Sequence, residues 1–169
     1  MSLRYITIMG TALSLSLAGA AFAADTTAGA GGMTKEQYNA EKDRIKNDAK
    51  ADKDKCKGMS GNAKDICTAE AKGHEKVAKA ELEARYKPSD KTDYNVRIAK
   101  ADAEYDVAKE RCDDKSGKDK NACQKEAKAA HTQAKADAKA GMKTADARND
   151  AREARRDAAA EKRDAGAKR

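Results

Sequence analysis

The chain has 169 residues, of which 38% are charged and 4% aromatic, and its 36 Lys and Arg against 29 Asp and Glu give a net charge of +7. The two signs are densely mixed and aromatic side chains are scarce, so the composition argues against a specific nucleic-acid-binding protein. Large aliphatic residues are few, which excludes a thick hydrophobic core. The abundance of Ala, Lys, Arg, Asp and Glu is instead typical of long helices.

The segment 1–23 has the pattern of a cleavable secretory signal peptide. Arg4 supplies a positive charge, residues 6–18 form a short apolar run, and Ala21-Phe22-Ala23 is an A-x-A cleavage site. We therefore predict export to a bacterial periplasm, or secretion, and no transmembrane helix in the mature chain. Residues 24–33 are rich in Gly, Ala and Thr, and we expect a flexible leader there.

A cysteine pair occurs twice in the chain. Ten residues separate Cys56 from Cys67, and ten separate Cys112 from Cys123, with a Ser-Gly dipeptide inside each segment. The surrounding residues also match, so the pattern indicates a tandem duplication. Four cysteines in a short exported chain suggest two disulfides, for which three connectivities exist. The repeat favours Cys56 with Cys67 and Cys112 with Cys123, because each unit then closes on itself.

Start and stop signals place two helices in the first repeat. Thr34 opens a Thr-Lys-Glu-Gln capping box, which predicts a first helix over 35–57. Glycines within 58–61 end that helix. Asn62 is the expected N-cap of a second helix, which runs to Arg85.

Pro88 is the only proline, and it disfavours helix at the residue before it. It separates helical hairpin repeat A, residues 34–87, from helical hairpin repeat B, residues 88–140. In repeat B we predict that a third helix ends at Arg111 and a fourth begins near Lys118.

Small and apolar residues recur at spacings of four and three along the helices of repeat B, as in a coiled-coil seam. The seam residues are Tyr94, Ile98, Ala101, Tyr105, Ala108 and Cys112 on the third helix and Cys123, Ala127, Ala130 and Ala134 on the fourth. An antiparallel hairpin with level cysteines places Tyr105 opposite Ala130 and Ala101 opposite Ala134.

Repeat A has a poorer seam, so we expect it to be the looser hairpin. Its predicted facing pairs are Ile45 with Ala78, Ala49 with His74, Asp52 with Ala71 and Lys42 with Glu81, the last of them an ion pair.

A second apolar stripe links the two hairpins. It predicts Val77 opposite Ala99 and Ala80 opposite Val96, with the second and third helices on the inside. The fold class expected is all-α: two tandem disulfide-stapled antiparallel helical hairpins that form an up-down row or an open four-helix bundle.

Residues 141–169 form a charged, Ala/Arg-rich tail that we expect to be helical or disordered, because from Ala136 onward few side chains are suited to burial. Interleaved acids weaken its positive field. Weak contact with an anionic envelope surface is a possible role for its arginines, which are Arg148, Arg152, Arg155, Arg156 and Arg163.

No catalytic arrangement is recognisable in the sequence, so we expect no enzyme and no cofactor. The ten-residue cysteine spacing differs from the Cys-x-x-Cys of redox motifs, which favours structural disulfides. His74 and His131 follow Cys67 and Cys123 at unequal distances, and two helical turns are too long for one metal ion to bridge. We expect His74 near Asp52 in the seam and His131 exposed.

The segment Ser-Gly-Asn-Ala-Lys-Asp-Ile-Cys that ends at Cys67, with Glu70-Ala71-Lys72 after it and Met33-Thr34-Lys35 before the first helix, resembles a group of small, uncharacterised exported proteins of Gram-negative bacteria. Some of these are labelled TolA-like, since TolA has a similarly Ala/Lys/Glu-rich middle region. The resemblance spans residues 33–139 and implies an exported helical envelope protein. It transfers no functional residue, and TolA's own function is not carried over.

Together these features predict a non-catalytic periplasmic helical protein with a binding or stress- or envelope-associated role. Two alternatives stay open. One is a binder of anionic envelope surfaces or polyanions that acts through the Arg-rich tail, and the other is a thiol-redox or metal-handling protein that acts through the cysteines.

Overall fold

The computed structural model describes residues 32–167, so the predicted signal peptide and nearly all of the predicted leader lie outside the described residues. Four helices make up this part of the chain: α1 Lys35–Cys56, α2 Gly61–Tyr86, α3 Asp90–Cys112 and α4 Gly117–Ala167. The described residues contain no strand. None of these helices combines the length and apolarity that crossing a membrane requires.

Two of the helix starts carry reciprocal caps. Thr34 accepts from the Gln37 amide at 3.2 Å, while the Gln37 side chain accepts from the Thr34 amide at 2.9 Å, which confirms the predicted capping box. Ser89 and Thr92 form the equivalent pair at the start of α3, directly after Pro88. The proline therefore lies between the end of α2 at Tyr86 and the capped start of α3, as expected from its effect on the residue before it.

The predicted cap of α2 was wrong. Ser60 occupies the N-cap position without a side-chain hydrogen bond, and α2 begins at Gly61, which has a φ of 56°. Gly117 begins α4 with the same left-handed backbone, at φ 54°, one residue earlier than predicted. Asn62 instead donates from its amide to the Glu110 carbonyl oxygen at 2.8 Å, so it ties the α1–α2 turn to the end of α3.

The four helices pack as a row in chain order. The helix pairs in contact among the described residues are α1 with α2, α2 with α3, and α3 with α4. A closed bundle would also bring α1 against α4, and it does not form. This agrees with the predicted up-down row or open bundle, and we call the arrangement a row because the helices in contact are neighbours in the chain.

Each hairpin is closed by its own disulfide. Cys56 is bonded to Cys67 with a Cα–Cα distance of 5.7 Å, and Cys112 to Cys123 with a distance of 5.6 Å. Cys56 is 2% exposed and Cys112 is fully buried. The connectivity favoured by the repeat is confirmed, and the bonds sit at the turn end of each seam.

The register between α2 and α3 is the predicted one. Val77 opposite Ala99 implies Gly73 opposite Ala103, and a Cβ placed on Gly73 would lie 2.8 Å from the Ala103 Cβ. The missing side chain on α2 lets the two inner helices approach closely at this level. Ion pairs flank the contact on both sides, among them Lys76 with Asp106 at 3.1 Å.

Hairpin A buries more than expected. Six of the nine buried apolar residues lie in α1 and α2, including Ile45 and Leu82 at 5% and 1% exposed, so burial does not support the prediction of a looser hairpin. The predicted Lys42–Glu81 ion pair was wrong. Glu81 pairs with Lys100 of α3 at 2.8 Å, and the Lys42 ammonium lies 6.0 Å from the centre of the Tyr38 ring.

Hairpin B contains a stacked aromatic pair that the seam pattern did not predict. The Tyr105 ring stacks on His131, the residue that follows the predicted partner Ala130, with ring centroids 4.6 Å apart. The His131 Nε2 lies 2.6 Å from the Asp102 Oδ1, and its side chain is 18% exposed. The expectation that His131 is exposed was therefore wrong, because the ring fills the space beside Tyr105.

The charged tail continues α4 as one helix of 51 residues. Ala138 is 2% exposed, Met142 and Ala145 are half-buried, and Asn149 donates to Asp90 at 2.5 Å. The prediction that this stretch buries little was wrong as far as Ala145, because small residues suffice against α3. Residues 150–167 are all exposed and extend about 27 Å beyond that contact.

Candidate binding groove

An open groove runs along α3 between α2 and α4, with a volume of about 1080 Å³. It exists because the row leaves one side of the inner helices uncovered, where a closed bundle would place another helix. The lining on α3 extends from Lys100 to Cys112, which corresponds to about 18 Å of helix.

The floor of the groove is built from small and branched apolar residues. Val77 of α2, Val107 and Ala108 of α3 and Ala127 of α4 line it, and each is half-buried. The Cys112–Cys123 disulfide closes one end. The close approach of Gly73 to Ala103 keeps the floor shallow, since neither residue projects beyond a methyl group.

The rim of the groove carries charges of both signs with an acidic excess. Arg111 pairs with Glu70 at 2.8 Å, and Lys100 pairs with Glu81 at 2.8 Å. Glu104 and Glu126 also line the groove, and neither has an ion-pair partner among the described residues. Four carboxylates against two cations leave a formal excess of two negative charges around the apolar floor.

A smaller groove of about 780 Å³ lies on the neighbouring side of α2, between α1 and α3. Ile45 and Val96 contribute its apolar surface. It shares Ala78, Glu81 and Lys100 with the main groove, so the Glu81–Lys100 ion pair separates the two.

Carboxylates between α1 and α2 are held ionised by basic neighbours. The pKa of Glu75 is lowered to about 2, chiefly by hydrogen bonds from Lys53 at 2.6 Å and from Lys79 at 2.5 Å. Because Lys53 lies on α1 and Glu75 on α2, this cluster joins the two helices of hairpin A. The cluster holds two lysines against one carboxylate, and it lies apart from the groove, whose lining does not include Glu75.

A second such cluster lies near the start of α1. The pKa of Glu41 is lowered to about 2, first by its hydrogen bonds from Arg44 and then by Arg85 of α2. Nearby, a hydrogen bond from the Tyr38 hydroxyl to Glu83 raises the pKa of that phenol. Both contacts cross from α1 to α2, so they strengthen the hairpin rather than provide a reactive group.

The structure does not bring the predicted cysteine and histidine candidates together into one site. All four cysteines are in disulfides, so no thiol is free among the described residues. His74 lines the groove and lies close enough to Asp52 to help lower the pKa of that carboxyl, after the larger effect of Lys55. His131 does not line the groove; its ring stacks on Tyr105 and its Nε2 is hydrogen-bonded to Asp102. No group of three potential metal ligands occurs between residues 32 and 167.

Sequence reasoning missed the groove although it found the residues that form it. A second apolar stripe was recognised on the inner helices, and Val77 was assigned to the contact between them. In the row this side chain also remains open to one side. The sequence did contain a signal for the groove. Each inner helix has two apolar faces, and two outer helices can cover all of these faces only if they also contact each other.

Comparisons with known protein families, with curated proteins and with solved structures found no match to this chain.

Proposed function

We propose that this protein is a non-catalytic binding protein of the bacterial periplasm that holds an amphipathic helix of a partner protein in the groove along α3. The observation that carries the proposal is the open apolar floor with an acidic rim, left where a closed bundle would place a helix. Helix-in-groove recognition uses such a surface, with apolar anchors recurring every three or four residues.

The dimensions and charge of the groove define the partner. Its floor is about 18 Å long, which accommodates about three turns of helix. Shallow lining by Val and Ala favours small or medium side chains at the contact. Glu104 and Glu126, which have no ion-pair partner within residues 32–167, favour Lys or Arg on the flanks of the bound helix, since opposite charges at a rim guide association.

Export to the periplasm is part of the same proposal. The N-terminal pattern of residues 1–23 supports it, and so do two closed disulfides, which persist in oxidising compartments. Fractionation of expressing cells should place a chain beginning at Ala24 in the periplasmic fraction. A full-length chain in the cytoplasm would contradict this part of the proposal.

Binding is tested with a fluorescent synthetic helix of four turns that has an Ala/Leu face and Lys flanks, and with a matched peptide that has Glu flanks. We expect the Lys peptide to bind several-fold more tightly in fluorescence anisotropy. Ala130→Arg, at the exposed mouth of the groove, should weaken it, whereas Ala129→Arg, exposed and outside the lining, should not. Equal binding of the two peptides, or no effect of Ala130→Arg, would contradict the proposal.

The tail supports a second candidate function, contact with anionic envelope surfaces. In the observed helix the five tail arginines Arg148, Arg152, Arg155, Arg156 and Arg163 fall within an arc of about 100°. All are exposed. Cosedimentation with phosphatidylglycerol vesicles, compared with phosphatidylcholine vesicles, tests this role. Deletion of residues 150–169 should abolish the preference for the anionic vesicles, and an unchanged preference would rule out the tail.

A further inference from the structure

The projecting end of α4 separates its charges onto opposite faces. At about 100° per residue, its bases span roughly 120° of the helix and its acids lie on the far side. The basic face is Arg148, Arg152, Arg155, Arg156, Lys162 and Arg163. The acidic face is Asp146, Asp150, Glu153, Asp157, Glu161 and Asp164. Positive and negative residues alternate along the sequence, but around the helix they occupy opposite faces.

This separation does not stabilise the helix itself. Arg152 lies one turn from both Arg148 and Arg156, and Glu153 lies one turn from Asp157, so neighbours on the surface repel. No charged residue between Asp146 and Ala167 has an ion-pair partner within 4.0 Å among the described residues 32–167, whereas ion pairs are frequent along α1, α2 and α3. The charge pattern therefore suits contacts with oppositely charged residues outside this helix.

A seven-residue repeat lies between the two charged faces. Ala147, Ala151, Ala154, Ala158 and Ala165 follow one another at spacings of four, three, four and seven, and all are exposed. One edge of this stripe is basic throughout, with Arg148, Arg155 and Lys162. The other edge is acidic throughout, with Asp150, Asp157 and Asp164. These are the a/d and e/g positions of a coiled coil.

We propose that the segment 147–165 is a dimerisation helix that pairs in parallel with the same segment of a second copy of this chain. In a parallel pair each g residue meets the e residue of the next heptad, so Asp150 meets the second copy's Arg155 and Asp157 meets its Lys162. In an antiparallel pair, acid would face acid and base would face base. The charge order therefore selects both the partner and the direction.

Among the described residues, this face of α4 is exposed throughout. The residues of α4 that turn toward α3, such as Ala138 and Ala145, lie about 160° around the helix from the alanine stripe. The globular part of each copy can thus lie on the outside of the pair. An alanine seam buries little surface and Glu161 interrupts it, so association is weak and reversible, and it strengthens when the chain is concentrated.

Charge-edge variants test the proposal in the full oxidised chain. One variant makes both edges basic with Asp150→Lys, Asp157→Lys and Asp164→Lys. A second makes both edges acidic with Arg148→Glu, Arg155→Glu and Lys162→Glu. In sedimentation equilibrium we expect each alone to dimerise at least about tenfold more weakly than the native chain, because its two edges then repel. An equimolar mixture of the two should recover dimerisation.

A third variant exchanges the two edges and carries all six substitutions. It should dimerise as the native chain does, because its g and e residues are again opposite in sign. The direction of pairing is tested with a nitroxide label on a Gly166→Cys variant. In a parallel dimer the two labels should lie about 20 Å apart, whereas in an antiparallel dimer they should be separated by about 30 Å along the helix axis. A native chain that stays monomeric at millimolar concentration, or dimerises regardless of edge charge, would overturn the proposal.

Discussion

Replacement of Gly73 by Ala probes the closest approach in the fold. An exposed helical Gly→Ala substitution stabilises a helix by about 1 kcal/mol. At this position the new Cβ would lie 2.8 Å from the Ala103 Cβ and 3.5 Å from its Cα, so α2 and α3 must separate. Overpacking of that kind costs about 1–3 kcal/mol. We expect a net loss of about 1 kcal/mol and a fall in Tm of about 2–4 °C.

The assay is urea and thermal unfolding followed by circular dichroism, with two controls. Gly141→Ala places its Cβ against the end of the flexible Arg97 side chain, which can move aside, so it should stabilise the protein by up to about 1 kcal/mol. Ala103→Gly restores the space that the new Cβ needs. The Gly73→Ala, Ala103→Gly double variant should therefore be more stable than the Ala103→Gly single variant.

A Gly73→Ala variant that is more stable than the native protein by about 1 kcal/mol would refute the reasoning. It would show that α2 and α3 do not approach each other at this level, because the alanine would then behave as it does on an exposed helix. The register and the shallow groove floor both depend on this contact.

Three further predictions concern the staples, the charges and the tail. Joint replacement of Cys112 and Cys123 by Ala should cost about 3 kcal/mol in urea unfolding, and an unchanged midpoint would contradict a structural role. The Glu75 pKa is lowered from 4.5 to about 2, so its contribution is complete above pH 4.5 and is lost as the pH falls toward 2. Glu75→Gln should therefore flatten the acid limb of stability, whereas an unaltered limb would show that the Lys53 contact contributes nothing. Removal of residues 150–169 should reduce helical ellipticity but leave Tm within about 1 °C, because residues 150–167 are all exposed. A large fall in Tm would show that the end of α4 contributes to the stability of the fold.

The fold could be predicted well because each signal constrained the next. The duplicated cysteine segments indicated two equivalent hairpins, and level cysteines then set the register of each. Pro88 set the turn between them, and the stripe containing Val77 set the register of α2 against α3. That register is the one seen at Gly73 and Ala103. Period and spacing are properties of the sequence itself, so they could be used without coordinates.

The details that could not be predicted depend on where neighbouring helices lie in three dimensions and not on the spacing of residues along the sequence. Asn62 looked like a cap, but its reach to Glu110 depends on where the next hairpin lies. Glu81 had two possible lysine partners, and it pairs with Lys100 because α3 lies on that side. His131 occupies the gap beside Tyr105, which no seam pattern describes.

The charged faces of the tail illustrate a different limit. The alternation of acids and bases between Asp146 and Asp164 looked like neutralisation while the tail was expected to be helical or disordered. Once α4 is known to continue as helix to Ala167, the same residues separate into two faces. The candidate groove likewise required the finding that α1 and α4 do not contact each other.

The open row is tested most directly by methyl nuclear Overhauser spectra of the oxidised protein with labelled Ala and Ile side chains. For an open row we expect a strong contact between the Ala103 methyl and the Gly73 α-protons, and none between the Ile45 methyls of α1 and the Ala130 methyl of α4. Contacts between Ile45 and Ala130 would instead show a closed bundle whose helices fill the groove, and neither the row nor the groove would then exist.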